Sequence, residues 1–179
     1  MIEVNVNVHT QDAFRAMQAQ AAAAIAAERE TLEDLRAGIR GDLDKVTATW
    51  EHKPTFFEQK TRAAAGNLFA GEIRITTNDR IFTFVDKGTR PHIIPVGEKG
   101  FLAFRAGYAR KTTPGYISST PGGAFGPWVF TRKAIRHPGT KPRRFSETIM
   151  RKWQQKAGPL LERRIQMALH GMFRSDGWR

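Results

Sequence analysis

The chain reads as an α+β domain: a small, mostly antiparallel sheet of four to five strands, flanked by a long N-terminal helix and a C-terminal helix. Three observations predict this. Apolar residues from Phe14 to Val46 recur at three- and four-residue steps, the period of one helix face. Between Thr55 and Ile135, short runs rich in Phe, Ile, Val and Thr are punctuated by Gly, Pro, Asn and Asp, as strands and turns are. From Phe145 to Met172 the helical period returns.

Taken in order, Val4, Val6 and Val8 alternate with polar residues as a short first strand does. This start carries neither the basic nor the apolar segment of a signal peptide. Thr10 or Asp12 is placed to cap the first helix. Its apolar stripe runs through Met17, Ala24, Leu32, Ile39 and Leu43, and Glu28, Glu30, Glu33 and Asp34 line the other face. Gly38 and Gly41 are the only points of interruption. His52-Lys53-Pro54 ends the helix. Thr55–Thr61, Glu72–Thr76 and Arg80–Val85 read as strands, the last two joined by a hairpin turn at Asn78-Asp79. Phe101–Phe104 and Trp128–Ile135 complete the set.

Residues 106–127 are dense in Gly and Pro and read as a long loop. Two readings stay open for it. One is a solvated surface excursion. The other is an assembly loop, because Tyr108, Tyr116, Phe125 and Trp128 would be wasted on solvent. Region 144–179 holds the second amphipathic helix and a tail at Trp178-Arg179. Gly158-Pro159 is expected to kink or split that helix.

At 179 residues the chain fits a single domain, 1–179. It has no Cys, which removes disulfides and thiolate metal sites and suits assembly in a reducing cytoplasm. The Ala21–Ala27 run is too short to span a bilayer, so no membrane contact is expected. The net charge is +12, and it is polarised. Met1–Trp50 has 5 basic and 8 acidic residues, and Trp128–Arg179 has 13 basic and 3 acidic. Such a basic block suits DNA or an acidic partner, with Arg143, Arg144, Arg163 and Arg164 as candidate contacts. No sequence-reading motif accompanies it, so contact with DNA would be non-specific.

Catalytic chemistry is not expected. His9, His52, His92, His137 and His170 form no chelating His-x-x-x-His or His-x-His pair. The Gly122-Gly123 pair lacks the Lys-Ser/Thr of a phosphate-binding loop. No serine sits in a nucleophile elbow. No catalytic, cofactor-binding or metal-binding residue is therefore expected. Only His92 and His137 merit weighing: a metal there would need Asp86 as third ligand, whereas imidazoles that hydrogen-bond turn carbonyls need nothing more.

The most informative segments are Phe84-Val85-Asp86-Lys87-Gly88-Thr89-Arg90-Pro91-His92-Ile93-Ile94-Pro95 and Arg136-His137-Pro138-Gly139-Thr140-Lys141-Pro142-Arg143-Arg144-Phe145. Each is a strand end followed by a Gly-Thr turn, and Gly88 and Gly139 stand where positive φ is expected. The two turns are expected to meet at one end of a sheet. With Phe101-Leu102-Ala103-Phe104 between them, these segments resemble the small neck or tail-completion proteins of long-tailed bacteriophages. Members of that family typically read V-E-x-G-T-x-x-H-x-I-x-P, then a-L-x-F, then v-x-H-P-G-T-x-x-x-P-F.

The resemblance implies a structural virion protein that forms a ring, six-fold to match the tail tube, at the neck or the top of the tail. It implies assembly in the host cytoplasm against head-completion or connector proteins and against tail-tube or tape-measure proteins. Under that reading Gly88, Thr89, Arg90, His92, His137, Gly139 and Thr140 form partner-reading turns. The alternative is a non-sequence-specific nucleic-acid-binding protein that uses its basic C-terminal region.

Overall fold

A computed structural model describes residues 10–62 and 71–175, with side-chain surroundings for 17–59 and 71–171. The strand expected at Val4–Val8 and the tail at Trp178-Arg179 lie outside the described residues. The elements run α1 (Thr10–Thr47), β1 (Phe57–Arg62), β2 (Gly71–Thr76), α2 (Arg80–Lys87), β3 (His92–Ile94), β4 (Leu102–Ala109), β5 (Gly123–Thr131), β6 (Ile135–His137) and α3 (Phe145–Ser175). The class is α+β, with three helices and small antiparallel ladders among the described residues.

The expected single sheet is instead three two-stranded ladders: β1 with β2, β3 with β6, and β4 with β5. One reason is that the middle strand expected at Arg80–Val85 is the helix α2. Asp79 is its N-cap, extended at φ −71° and ψ 116°, and its carboxylate accepts the Phe82 N–H at 2.7 Å. The Asn78-Asp79 pair therefore starts a helix rather than turning a hairpin. A second reason is that Pro91, Pro95 and Pro138 bound β3 and β6, and proline cannot extend a ladder.

The chain groups into two compact units. The first comprises Ala37–Gln59 and Arg74–Gln154. Its core is Leu43, Val46, Trp50, Phe56, Phe82, Phe145 and Ile149. The Phe82 ring stands edge-on to Phe145 at 4.9 Å and to Phe56 at 5.2 Å, the arrangement that ring quadrupoles favour. Here α1 and α3 approach closely because Gly38 lies under the Trp153 indole, where a Cβ would overlap the ring. Trp153 Nε1–H then reaches the buried Asp42 carboxylate at 2.8 Å, beside Lys152 Nζ at 2.5 Å. Burial pulls the Asp42 carboxyl upward, but those hydrogen bonds and the Lys152 and Lys45 charges outweigh it and hold the pKa below the ordinary value.

The second unit comprises Met1–Arg36, Lys60–Ile73 and Gln155–Arg179. Ala24, Ala27, Glu28 and Thr31 are buried there, and Leu32 covers Gly71. Pro159 sits inside α3 without splitting it. Gly158 and Pro159 are both exposed, so the strain of the missing amide falls on the solvent side. No helix among the described residues is long and apolar enough to cross a membrane.

Candidate functional site

The two Gly-Thr turns meet. Thr89 and Thr140 form an antiparallel bridge, with Thr89 N–H donating to the Thr140 carbonyl at 3.0 Å and Thr140 N–H returning at 3.2 Å. The Thr89 hydroxyl oxygen also accepts from Thr140 N–H at 2.9 Å. Each turn glycine sits under the other turn's backbone. Gly88, at φ 76° and ψ 176°, is in a region essentially reserved for glycine, and a Cβ there would lie 2.5 Å from the Thr140 carbonyl oxygen. Gly139, at φ 85°, is set the same way against the Thr89 carbonyl and Arg90. The clamp is reciprocal.

From this clamp the ladder continues with His92 opposite His137, Ile93 opposite Arg136 and Ile94 opposite Ile135. The two imidazoles lie 5.0 Å apart between centroids. His92 Nδ1 is 2.9 Å from the Arg90 carbonyl, which can only accept, so that nitrogen carries the hydrogen. His137 Nδ1 accepts the Gly139 N–H at 3.0 Å, so it holds the lone pair. Both rings therefore brace their own turns, His92 through a carbonyl as expected and His137 through an amide instead. An open cavity of about 400 Å³ lies alongside, lined by Pro91, His92, Ile93, Ala134 and Arg136. Arg90 and His92 are exposed, and Ile93 is 68% exposed.

Asp86 is not beside the histidines as a ligand; it joins α2 to α3. Its carboxylate accepts the Ser146 N–H at 3.1 Å and the Ser146 hydroxyl, and its carbonyl accepts the amides of Arg143 and Arg144, each at 3.0 Å. Both carboxylate oxygens are thus engaged at the start of α3, where the helix dipole favours a negative charge. Among the described residues no group of three His, Asp or Glu is placed to hold a metal ion.

The candidate cations separate. Arg143 and Arg144 precede α3 in the first unit, and Arg144 adopts φ 53° while its carbonyl takes the Thr148 N–H. Arg163 and Arg164 belong to the second unit. Arg164 is bound to Glu30 at 3.2 Å and to Asp34, so it is an internal ion pair rather than a free contact. Arg163 is exposed.

Much of the expected 106–127 loop is a β-hairpin. β4 and β5 pair from Leu102↔Thr131 to Ala109↔Gly123, and a bridge at Thr112↔Ser119 carries the pairing toward the tip. The Gly and Pro residues that suggested irregularity serve this hairpin. Pro114-Gly115 makes the tip turn, with Gly115 at φ 78° and Tyr116 N–H donating to the Thr113 carbonyl at 3.2 Å. Gly126, at φ 81°, and Pro127 together oppose the single Ala106 as a bulge. The tip is tied to the end of α1: Thr49 N–H donates to Ser119 Oγ at 3.2 Å, and Ser119 O–H donates to the Lys45 carbonyl at 2.9 Å.

Of the expected assembly residues, Tyr116 lies in the tip turn and Tyr108 on β4, both exposed. Phe125 and Trp128 share the opposite face from Tyr108, by the alternation of the strands. Sequence reasoning missed the neighbours that complete this face, Phe101, Arg105 and Phe130. Their i, i+2 spacing across two strands was the available signal, hidden because the intervening residues read as a loop. In comparisons with known proteins, no family model matches the chain, and no curated protein or solved structure matches it.

Proposed function

We propose that this protein is a structural virion component of a tailed bacteriophage, a subunit of a six-fold ring at the neck or the top of the tail. It completes the tail and joins it to the head. Its chemistry is association alone, with head-completion or connector proteins on one side and tail-tube or tape-measure proteins on the other. The observation that carries this reading is the reciprocal clamp of the two turns whose sequence resembles that family. Two segments about 50 residues apart lock one another while turning Arg90, Pro91, His92 and Ile93 outward. A fold needs only the lock, and the outward row is what a stacked partner would read.

The alternative, a nucleic-acid binder built on the basic C-terminal region, draws less support because Arg164 is already neutralised by Glu30 and Asp34. An antibody raised against the chain should decorate the head–tail junction of the particles whose genome encodes it. Label confined to the capsid or the tail tip, or no label at all, would refute the assignment.

A further inference from the structure

One face of the β4–β5 hairpin is a row of rings that no other element covers among the described residues. Phe101 lies 5.9 Å from Phe130, Phe130 lies 6.4 Å from Trp128, and the Arg105 guanidinium stacks 4.6 Å over Trp128. Phe125 continues the row beyond the bulge, its ring lying over Gly107, where a Cβ would be 2.6 Å away. Trp128, Phe125 and Phe130 are 55%, 59% and 65% exposed. The remaining residues of this face, Ala103, Gly107, Ala109 and Gly123, are too small to wall the rings in.

The electrostatics are one-sided. From Lys99 to Ser146 the chain carries ten Lys and Arg and no Asp or Glu. Arg132 and Lys133, both exposed, follow directly on β5. We infer that this face binds single-stranded nucleic acid, its bases stacking on Phe101, Phe130, Trp128 and Phe125 and its phosphates meeting Arg105, Arg132 and Lys133. Half-exposed rings in a row beside cations are what sequence-tolerant single-strand binding uses. The face offers no hydroxyl, amide or carboxylate that would select a polypeptide's side chains. It is a different surface from the partner-reading turns, and the inference stands without the ring.

The test is fluorescence anisotropy of a labelled oligothymidylate of about 20 nucleotides with the full-length protein. Binding should appear at low salt and weaken with a log–log slope of about −0.7 per phosphate contact. Trp128→Ala should weaken it about tenfold without changing that slope, because stacking releases no counterions. Arg132→Ser with Lys133→Ser should flatten the slope. Trp128→Phe should restore most of the affinity, and Phe104→Ala on the opposite face should leave it intact, which separates lost stacking from a lost hairpin. A duplex of equal length should compete poorly. No binding at low salt overturns the inference, as does binding indifferent to Trp128→Ala or equal competition by duplex. Equal competition by polyglutamate would hand the face to an acidic protein instead.

Discussion

Gly88 shows how much a single missing Cβ decides. Its backbone conformation is one that other residues reach only with strain, and the Thr140 carbonyl occupies the space a side chain would need. Gly88→Val should therefore lower the urea midpoint by the equivalent of about 1–3 kcal/mol, and Gly139→Val by a similar amount. Because both substitutions open the same clamp, the double variant should lose less than the sum of the two, and full additivity in a denaturation cycle would show that the turns do not support each other. The need for glycine at both places was legible in sequence, since an abrupt strand end before Gly-Thr leaves little else. Arg144 was not legible: its positive φ follows from the Asp86 carbonyl holding its amide, and Asp86 lies far away in sequence. Asp86 itself was read as a possible ligand for the same reason, because Ser146, its partner, is 60 residues on.

Among the elements, the helices were read from periodicity and α2 was misread by it. Ile81-Phe82-Thr83-Phe84-Val85 is as good a strand pattern as the chain contains, yet only Phe82 and Asp86 are buried, four residues apart as on a helix face. Tertiary burial of Phe82 against Trp50, Phe56 and Phe145, together with the Asp79 cap, overrides β propensity. The hairpin was missed for the opposite reason, since its turn and bulge glycines hid the alternation of β4 and β5.

The α1–α3 contact of the first unit makes a pH prediction. Asp42 is nearly inaccessible and titrates below its ordinary 3.8 when folded. A depressed folded pKa adds stability that is complete above the unfolded value and disappears as pH falls through the folded one. The urea midpoint of the wild type should therefore climb as pH rises through the acid range toward the ordinary 3.8, and level off above it. Asp42→Asn should flatten part of that climb and cost about 1–3 kcal/mol at neutral pH, since Trp153 N–H and Lys152 lose a charged acceptor. Asp79, lowered by its hydrogen bonds from His52 and the Phe82 amide, contributes a climb of the same sign that Asp42→Asn leaves in place. An unchanged pH profile in the variant would mean that Lys152 and Trp153 do not depend on the carboxylate.

For the molecule as a whole, the question is whether the outward side of the clamp is a partner surface or only the exposed half of a fold. Thr89 cannot answer it, because its hydroxyl accepts the Thr140 amide and its loss would mix folding with contact. Arg90 and Ile93 can. Arg90 engages the site through its carbonyl rather than its side chain, and Ile93 is 68% exposed between Pro91 and Pro95. Arg90→Ala with Ile93→Ser should thus leave the urea midpoint within about 0.5 kcal/mol of wild type, as surface substitutions do. The same pair removes a charge and an exposed apolar side chain from the outward surface. Loss of a central contact in an interface costs about 2 kcal/mol or more per subunit, and a closed ring repeats that loss at every equivalent contact. If the chain is the ring subunit proposed above, complementation of a phage deleted for it with this variant should therefore yield filled heads and free tails in place of joined particles, counted by electron microscopy. A normal yield of infectious particles from a stably folded double variant would leave the clamp with a folding role alone and move the partner surface elsewhere on the chain.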